Sequence, residues 1–183
     1  MVPVTRQKIH LSAGSGRRLE ERLGLLFPRA LVAVNRAWLR LPPRSRIRRL
    51  WIRREVRLGV EASNRRDYEA AFAAFHPDFE MNPPDGLVAL GSFPASLRGR
   101  EERARVEQQW RSDWGEFRYE PDELLDLGDR LLLLGRMIGT GPSSGAAFNT
   151  EWAQLLTLSQ GQVVREQIYF NRGEALAAAG LRE

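Results

Sequence analysis

The residues FRYEPDELLDLGDRLLLLGRMIGTGPSSGAAFNTEWAQLLTLSQGQVVREQIYF, Phe117 to Phe170, decide the architecture. They divide into four strand-like runs, about Phe117–Asp126, Arg130–Thr140, Ala147–Ser159 and Gln162–Phe170. The connectors Leu127-Gly128-Asp129, Gly141–Gly145 and Gln160-Gly161 all carry glycine, the turn chemistry that joins consecutive antiparallel strands. No long helix interrupts or follows them. Asn171 is placed to cap only a short terminal helix, Glu174–Ala179, which Gly180 ends.

Upstream the texture is helical. Gly99–Trp114 carries Val106, Trp110 and Trp114 at i, i+4 and i+8. Pro83–Leu97 is a long loop rich in Pro and Gly, in which Leu90 and Phe93 give the make-up of a greasy lid, or else a bystander. Pro77–Asn82 suits a strand. Asp67 caps a short helix, Tyr68–Phe75, and a longer helix runs from about Ser45 to Ser63, with Ile47, Trp51, Leu58 and Ala62 on its apolar side. Residues 17–41 read as helix broken near Pro28, and residues 1–16 read as loose. Helices followed by consecutive antiparallel strands make an α+β fold, with the helices gathered on one face of a curved sheet.

Composition narrows the chemistry. The 183 residues contain no cysteine, which removes disulfide and thiolate chemistry, and only two histidines, His10 and His76, which makes a histidine-based metal site improbable. His76, just before Pro77, suits a helix end better than a metal. Charge is divided along the chain: residues 1–58 carry +12 and residues 59–183 carry −7. No secretory signal is legible, and Pro28, Arg29, Asn35, Arg36 and Arg40 interrupt the apolar stretch Leu23–Leu41, so a cytoplasmic protein is expected.

Several strings carry a family resemblance: GVEASNRRDYEAAFAAFHPDFEMNPP (Gly59–Pro84), LRGREE (Leu97–Glu102), FRYEPDELLDLGDRLLLLGRMIGTG (Phe117–Gly141) and LTLSQGQVVREQIYFNRGEALAAAGL (Leu156–Leu181). In this order they resemble the nuclear transport factor 2-like superfamily, in particular its SnoaL-like branch. The resemblance implies a cone, a curved antiparallel sheet packed against about three helices, spanning residues 44–183 behind a basic helical extension, residues 1–43. It implies a pocket between sheet and helices, homodimerisation through the convex sheet face, and no obligatory cofactor. The fold hosts isomerases, cyclases, dehydratases, hydrolases and adaptors, so function has to be argued from the site.

Strand alternation proposes the pocket faces. Leu132, Leu134, Arg136 and Ile138 share one face, Trp152, Gln154 and Leu156 another, Glu166, Ile168 and Phe170 a third, and Glu80 and Asn82 a fourth. If these are concave, a small apolar or aromatic ligand would meet Glu80, Asn82, Arg136, Gln154 and Glu166 among apolar walls. Glu166 is then the candidate acid or base for isomerase, cyclase or lyase-type chemistry and Arg136 its charge partner, with a purely structural ion pair as the favoured alternative. Trp110, Trp114 and Trp152 wall the pocket or simply pack helix on sheet, the latter favoured. Asn82 either binds ligand or starts the Pro83-Pro84 turn. The ketosteroid isomerase pattern, laid on this chain, places Asn82 at its base, Gly59 at its tyrosine and Gln154 at its acid, so that proton-transfer scheme is not expected. A non-catalytic binding or dimeric assembly module is the alternative function.

The basic segment, with Arg44, Arg46, Arg48, Arg49, Arg53 and Arg54, has three uses open to it: contact with nucleic acid or an anionic membrane, docking on an acidic body, or solvation. No nucleic-acid-binding motif accompanies it, so docking or solvation is favoured.

Overall fold

The computed structural model describes residues 4–12, 16–89, 93–112, 114, 116–141 and 145–181. In chain order the elements are β1 (Thr5–Lys8), α1 (Leu19–Leu26), α2 (Pro28–Leu39), α3 (Arg46–Asn64), α4 (Tyr68–Ala71), β2 (Phe75–Asn82), α5 (Asp85–Ala89), β3 (Leu97–Arg98), α6 (Arg100–Ser112), β4 (Phe117–Asp126), β5 (Arg130–Thr140), β6 (Ala147–Ser159), β7 (Gln162–Tyr169) and α7 (Arg172–Ala178). The strands form a seven-stranded sheet in the order β1-β4-β5-β6-β7-β2-β3, in which only β2 and β7 run parallel.

Local chemistry sets the boundaries. The Ser45 hydroxyl accepts the Arg48 N–H at the start of α3, the Asp67 carboxylate accepts the Ala70 N–H at α4, and the Asn171 side-chain oxygen accepts the Glu174 N–H at α7. Pro28 stands at the first position of α2, where its missing N–H costs nothing, and breaks α2 from α1 at Phe27. The β6–β7 hairpin closes through Gln160 and Gly161 with φ of 51° and 88°, the left-handed pair that a two-residue turn requires. A Cβ at Gly161 would stand 2.6 Å from the Val32 carbonyl oxygen, because α2 is packed directly on this turn.

The sheet has apolar residues on both faces. One face meets α3, α4 and α6 in a core that includes Ile52, Phe72, Phe79, Met81, Trp110 and Leu133. On the other, Leu132, Leu134 and Leu155 meet Ala175 and Leu176 of α7 and Ala179, which ends it. The leucine run Leu131–Leu134 is therefore buried throughout.

The N-terminal segment departs from the loose reading: Thr5–Lys8 extends the sheet as an edge strand beside β4. Arg48 then fastens the helices that follow. Its guanidinium donates to Asp126 from Nε at 2.7 Å and Nη2 at 2.8 Å, to the Leu41 carbonyl at 2.8 Å, and to the Leu39 and Gly128 carbonyls, so all five donors are used. Arg48 is thus buried and paired, and does not belong to the solvent-facing basic patch. Further ion pairs join the N-terminal segment to the body: Arg17 to Asp67 at 2.6 Å, Arg18 to Glu61 at 3.0 Å and, with the charges reversed, Glu21 to Arg65 at 2.5 Å. No helix among the described residues is long and apolar enough to cross a membrane.

Candidate functional site

A cavity of about 140 Å³ lies between α2, α3, α4 and α6 on one side and β4 to β7 on the other. Ile52, Val56, Phe72, Phe75, Leu133 and Trp152 form much of its wall, and Asn35 and Leu39 of α2 belong to it as well. The helix preceding the resembling segment thus contributes to the site.

The polar groups of the cavity are mostly bound to one another. Arg103 of α6 donates from Nε to Glu166 Oε2 at 2.9 Å and from Nη1 to Glu107 Oε2 at 2.7 Å, with Nη2 3.4 Å from Glu166 Oε1. The Tyr119 hydroxyl donates to Glu107 Oε1 at 2.9 Å, and Gln154 Nε2 donates to Glu166 Oε1. Arg111, one turn beyond Glu107, donates to the Ser63 carbonyl at 3.0 Å and the Phe117 carbonyl at 2.7 Å. The side chains of Arg103, Glu107 and Glu166 are 3%, 1% and 0% exposed. Two arginines and two glutamates balance in charge, as burial demands.

Position follows from the elements. Arg103, Glu107 and Arg111 are spaced i, i+4 and i+8, so one face of α6 presents all three toward the sheet. Tyr119 is fixed at its backbone by the Asn64 amide, which donates to its carbonyl at 2.9 Å and accepts its N–H at 2.8 Å. Burial by itself would lower the Arg103 pKa, but the charges of Glu166 and Glu107 outweigh it and the guanidinium is held more firmly protonated than usual. Burial, reinforced by the charge of Glu107, pushes the Tyr119 phenol well up, so it acts as a neutral donor.

At α3 the wall is different. The Trp51 Nε1–H donates to Asn35 Oδ1 at 2.8 Å and pins α2 to α3. Glu55 also lines the cavity, and desolvation raises its carboxyl above the ordinary range, partly offset by Arg54 at 2.7 Å. Trp51, Glu55, Gly59, Ala71 and Ala74 separate the cavity from a second, outer groove of about 410 Å³, bordered by α1 and α2.

The expected site residues divide. Gln154, Trp152, Glu166 and Ile168 face the cavity, as alternation proposed. Arg136 does not: it is exposed and donates to Asn149, and the partner of Glu166 is Arg103. Ile138 shares that outer face of β5, since Leu131 and Leu133 point inward. A run of four leucines has no alternation, so parity could not be read from it. Glu80 and Asn82 are also turned outward, because Phe79 and Met81, both almost fully buried, take the inner face of β2. Glu80 pairs there with Arg98 at 2.5 Å and Arg165 at 3.2 Å. Trp110, Trp114 and Phe170 pack in or against the neighbouring core and do not line the cavity. His76 stands in β2 with Nδ1 accepting the Asp78 N–H at 3.0 Å, and among the described residues no cluster of His, Cys, Asp and Glu could hold a metal. Phe93 is buried against Trp110, with ring centroids 5.8 Å apart, so this part of the suggested lid is core; Leu90 lies outside the described residues.

Arg103, Glu107, Tyr119 and Glu55 were not expected. A signal for the first two existed: they share the helical face of Val106, Trp110 and Trp114, and charges on an apolar stripe mark a buried network more than a solvated one.

Residues 56–166 match the family model described as the SnoaL-like domain. Among solved structures, a nuclear transport factor 2-like protein of unknown function from Burkholderia pseudomallei is 26% identical, with a TM-score of 0.59 over 68% of this chain and 93% of that one. TerC, co-crystallised with polyporic acid, is 20% identical, with a TM-score of 0.58 over 70% of this chain and 95% of its own. A nuclear transport factor 2-like protein from Burkholderia thailandensis is 24% identical, with a TM-score of 0.55 over 69% and 93%. Comparison with curated proteins finds no significant match.

Proposed function

We propose that this chain, which belongs to the SnoaL-like domain family, binds a small, largely apolar molecule in the cone cavity and anchors its polar end on Gln154 and the Arg103–Glu166–Glu107–Tyr119 network. The observation that carries the reading is a cavity with apolar walls, in which most charged groups are already neutralised by one another. Such a site favours an uncharged ligand that offers one or two hydrogen-bonding groups. TerC, of the same fold, was crystallised with polyporic acid, a precedent for a ligand in such a scaffold.

The test is thermal unfolding against polyketide-like, steroid-like and small aromatic compounds, run beside Gly59→Phe, which fills the space left by a glycine of the cavity wall. A ligand at about 100 times its dissociation constant adds roughly 2.7 kcal/mol, on the order of 5–10 °C here. The shift should disappear in Gly59→Phe. An equal shift in that variant would place binding elsewhere, and the absence of any shift would refute the reading.

Acid/base chemistry of the isomerase, cyclase or lyase type is the second reading, and Glu55 favours it. Both oxygens of Glu166 already accept hydrogen bonds, whereas Glu55 combines a place in the wall with a raised carboxyl pKa. Turnover lost in Glu55→Gln and retained in Glu166→Gln would support it; the reverse would restore Glu166 as the acid or base. A homodimer through the outer sheet face completes the proposal, and a monomer by light scattering at micromolar concentration would exclude it.

A further inference from the structure

Every large apolar residue that is strongly exposed among the described residues lies between Val4 and Leu50. They concentrate on the first helices: Leu19, Leu23 and Leu26 are spaced along one side of α1, Phe27 stands at the elbow, and Val34 follows on α2. Leu26 is 71% exposed and Phe27 60%. Leu23, Phe27, Ala30 and Val34 line the outer groove as exposed residues, and Leu31 lines it partly buried.

Helices α1 to α3 carry cations that form no ion pair among the described residues. Arg22, Arg29, Arg36, Arg40, Arg46 and Arg53 are all exposed, and among the described residues none of them is in an ion pair. This sets them apart from Arg17, Arg18, Arg48 and Arg54, which bind carboxylates. Arg29, Arg36 and Arg40 fall at i, i+7 and i+11, one stripe along α2, next to the flank formed by Phe27, Ala30 and Val34. The exposed half of α2 is therefore cationic on one side and apolar on the other, while Asn35 and Leu39 secure its inner side to the cone.

We infer that α1 and α2 form a docking surface for an anionic lipid bilayer, with Leu26, Phe27 and Val34 entering the interface and the α2 arginines meeting the headgroups. Charge selects this partner over two others. A second copy packed antiparallel on this face by a twofold axis would bring like arginine stripes together. A nucleic acid would engage the arginines but leave the aliphatic flank in water, because phosphate contacts make no use of it. A bilayer surface uses both sides at once, the apolar residues at the acyl boundary and the cations at the negative headgroups. The docking surface is independent of whether the cone holds a ligand.

The experiment is flotation of the full chain with vesicles of phosphatidylcholine alone and of phosphatidylcholine mixed with phosphatidylglycerol. Binding is expected on the mixed vesicles and should weaken as salt rises. The triple substitution Arg29→Gln, Arg36→Gln, Arg40→Gln should weaken it roughly 100-fold, taking about 1 kcal/mol, or fivefold, per arginine. Leu26→Ser with Phe27→Ser should weaken it while leaving all charges in place. These positions are exposed, so an unchanged thermal midpoint will show that both variants are folded. The inference is overturned by absence of binding to mixed vesicles, by equal binding to neutral ones, or by indifference to either variant. Retention on heparin or DNA without vesicle binding would replace the bilayer with a nucleic acid. Light scattering that shows an oligomer dissolved by Leu26→Ser and Phe27→Ser, without vesicle binding, would replace it with a second copy.

Discussion

The interior ion network offers a stringent test through Arg103→Met. Methionine roughly preserves the apolar stem and removes the guanidinium. Glu107 then keeps the Tyr119 hydroxyl at 2.9 Å and the Arg111 guanidinium at 3.9 Å, but Glu166 loses the one cationic partner it has among the described residues and retains the Gln154 amide. A carboxylate with no exposed surface and no counter-charge costs about 3–5 kcal/mol when the partner of a buried pair is deleted. For a domain of this size that corresponds to a melting temperature lowered on the order of 10 °C. Adding Glu166→Gln removes the stranded charge, so the double variant should be destabilised by less than the sum of the two singles, with a coupling of about 1–3 kcal/mol. The assay is urea unfolding followed by tryptophan fluorescence at neutral pH, with the slope checked for constancy across the four proteins. Arg103→Met within about 1 kcal/mol of the parent, or strict additivity with Glu166→Gln, would refute the argument that burial couples these two charges.

Three further outcomes are expected. Gly59→Ala should stabilise α3 by about 0.5–1 kcal/mol, because a Cβ there comes no closer than 3.6 Å to the Ala71 carbonyl and alanine is the better helix former; calorimetry showing a lower midpoint would contradict it. The raised carboxyl of Glu55 contributes stability that is present below its unfolded pKa and lost as pH rises through its folded pKa, so Glu55→Gln should gain on the parent as pH rises from the acid range to neutrality; a gain confined to acid pH would reverse the sign. Arg48→Met strands Asp126 and frees the Leu39 and Leu41 carbonyls, so a loss of about 3–5 kcal/mol should accompany faster proteolysis within residues 19–45; unchanged digestion would show that other contacts fasten the segment.

Strands, turns and helix caps were legible because their causes are local. The glycine-bearing connectors set β4 to β7, and Asp67 and Asn171 marked helix starts through bonds to residues three positions on. The inward set of β6 and β7 follows the period-two reading, since Trp152, Gln154, Glu166 and Ile168 all line the cavity, although Ala153 and Leu155 leave β6 buried on both faces. The exposed place of Arg136 was not legible, because the leucine run before it is buried on both faces and hides the parity. Nor was Phe79-Glu80-Met81 assigned correctly: the alternation was read with Glu80 and Asn82 inward, whereas Phe79 and Met81 hold the inner face.

The sequence by itself determined the order of the main helices and of strands β4 to β7, the α+β class and the division of charge, since periodicity, turn residues and composition act over a few positions; β1, α5 and β3 were not legible. Only the tertiary structure decided which charges meet. Arg103 and Glu166 are 63 residues apart, and Arg48 and Asp126 are 78. Arg48 stands in a basic stretch that reads as solvated, and the apolar stripe that signals burial of Arg103 names no partner for it; the cost of an unpaired buried charge makes each pair obligatory only after the chain has closed around it.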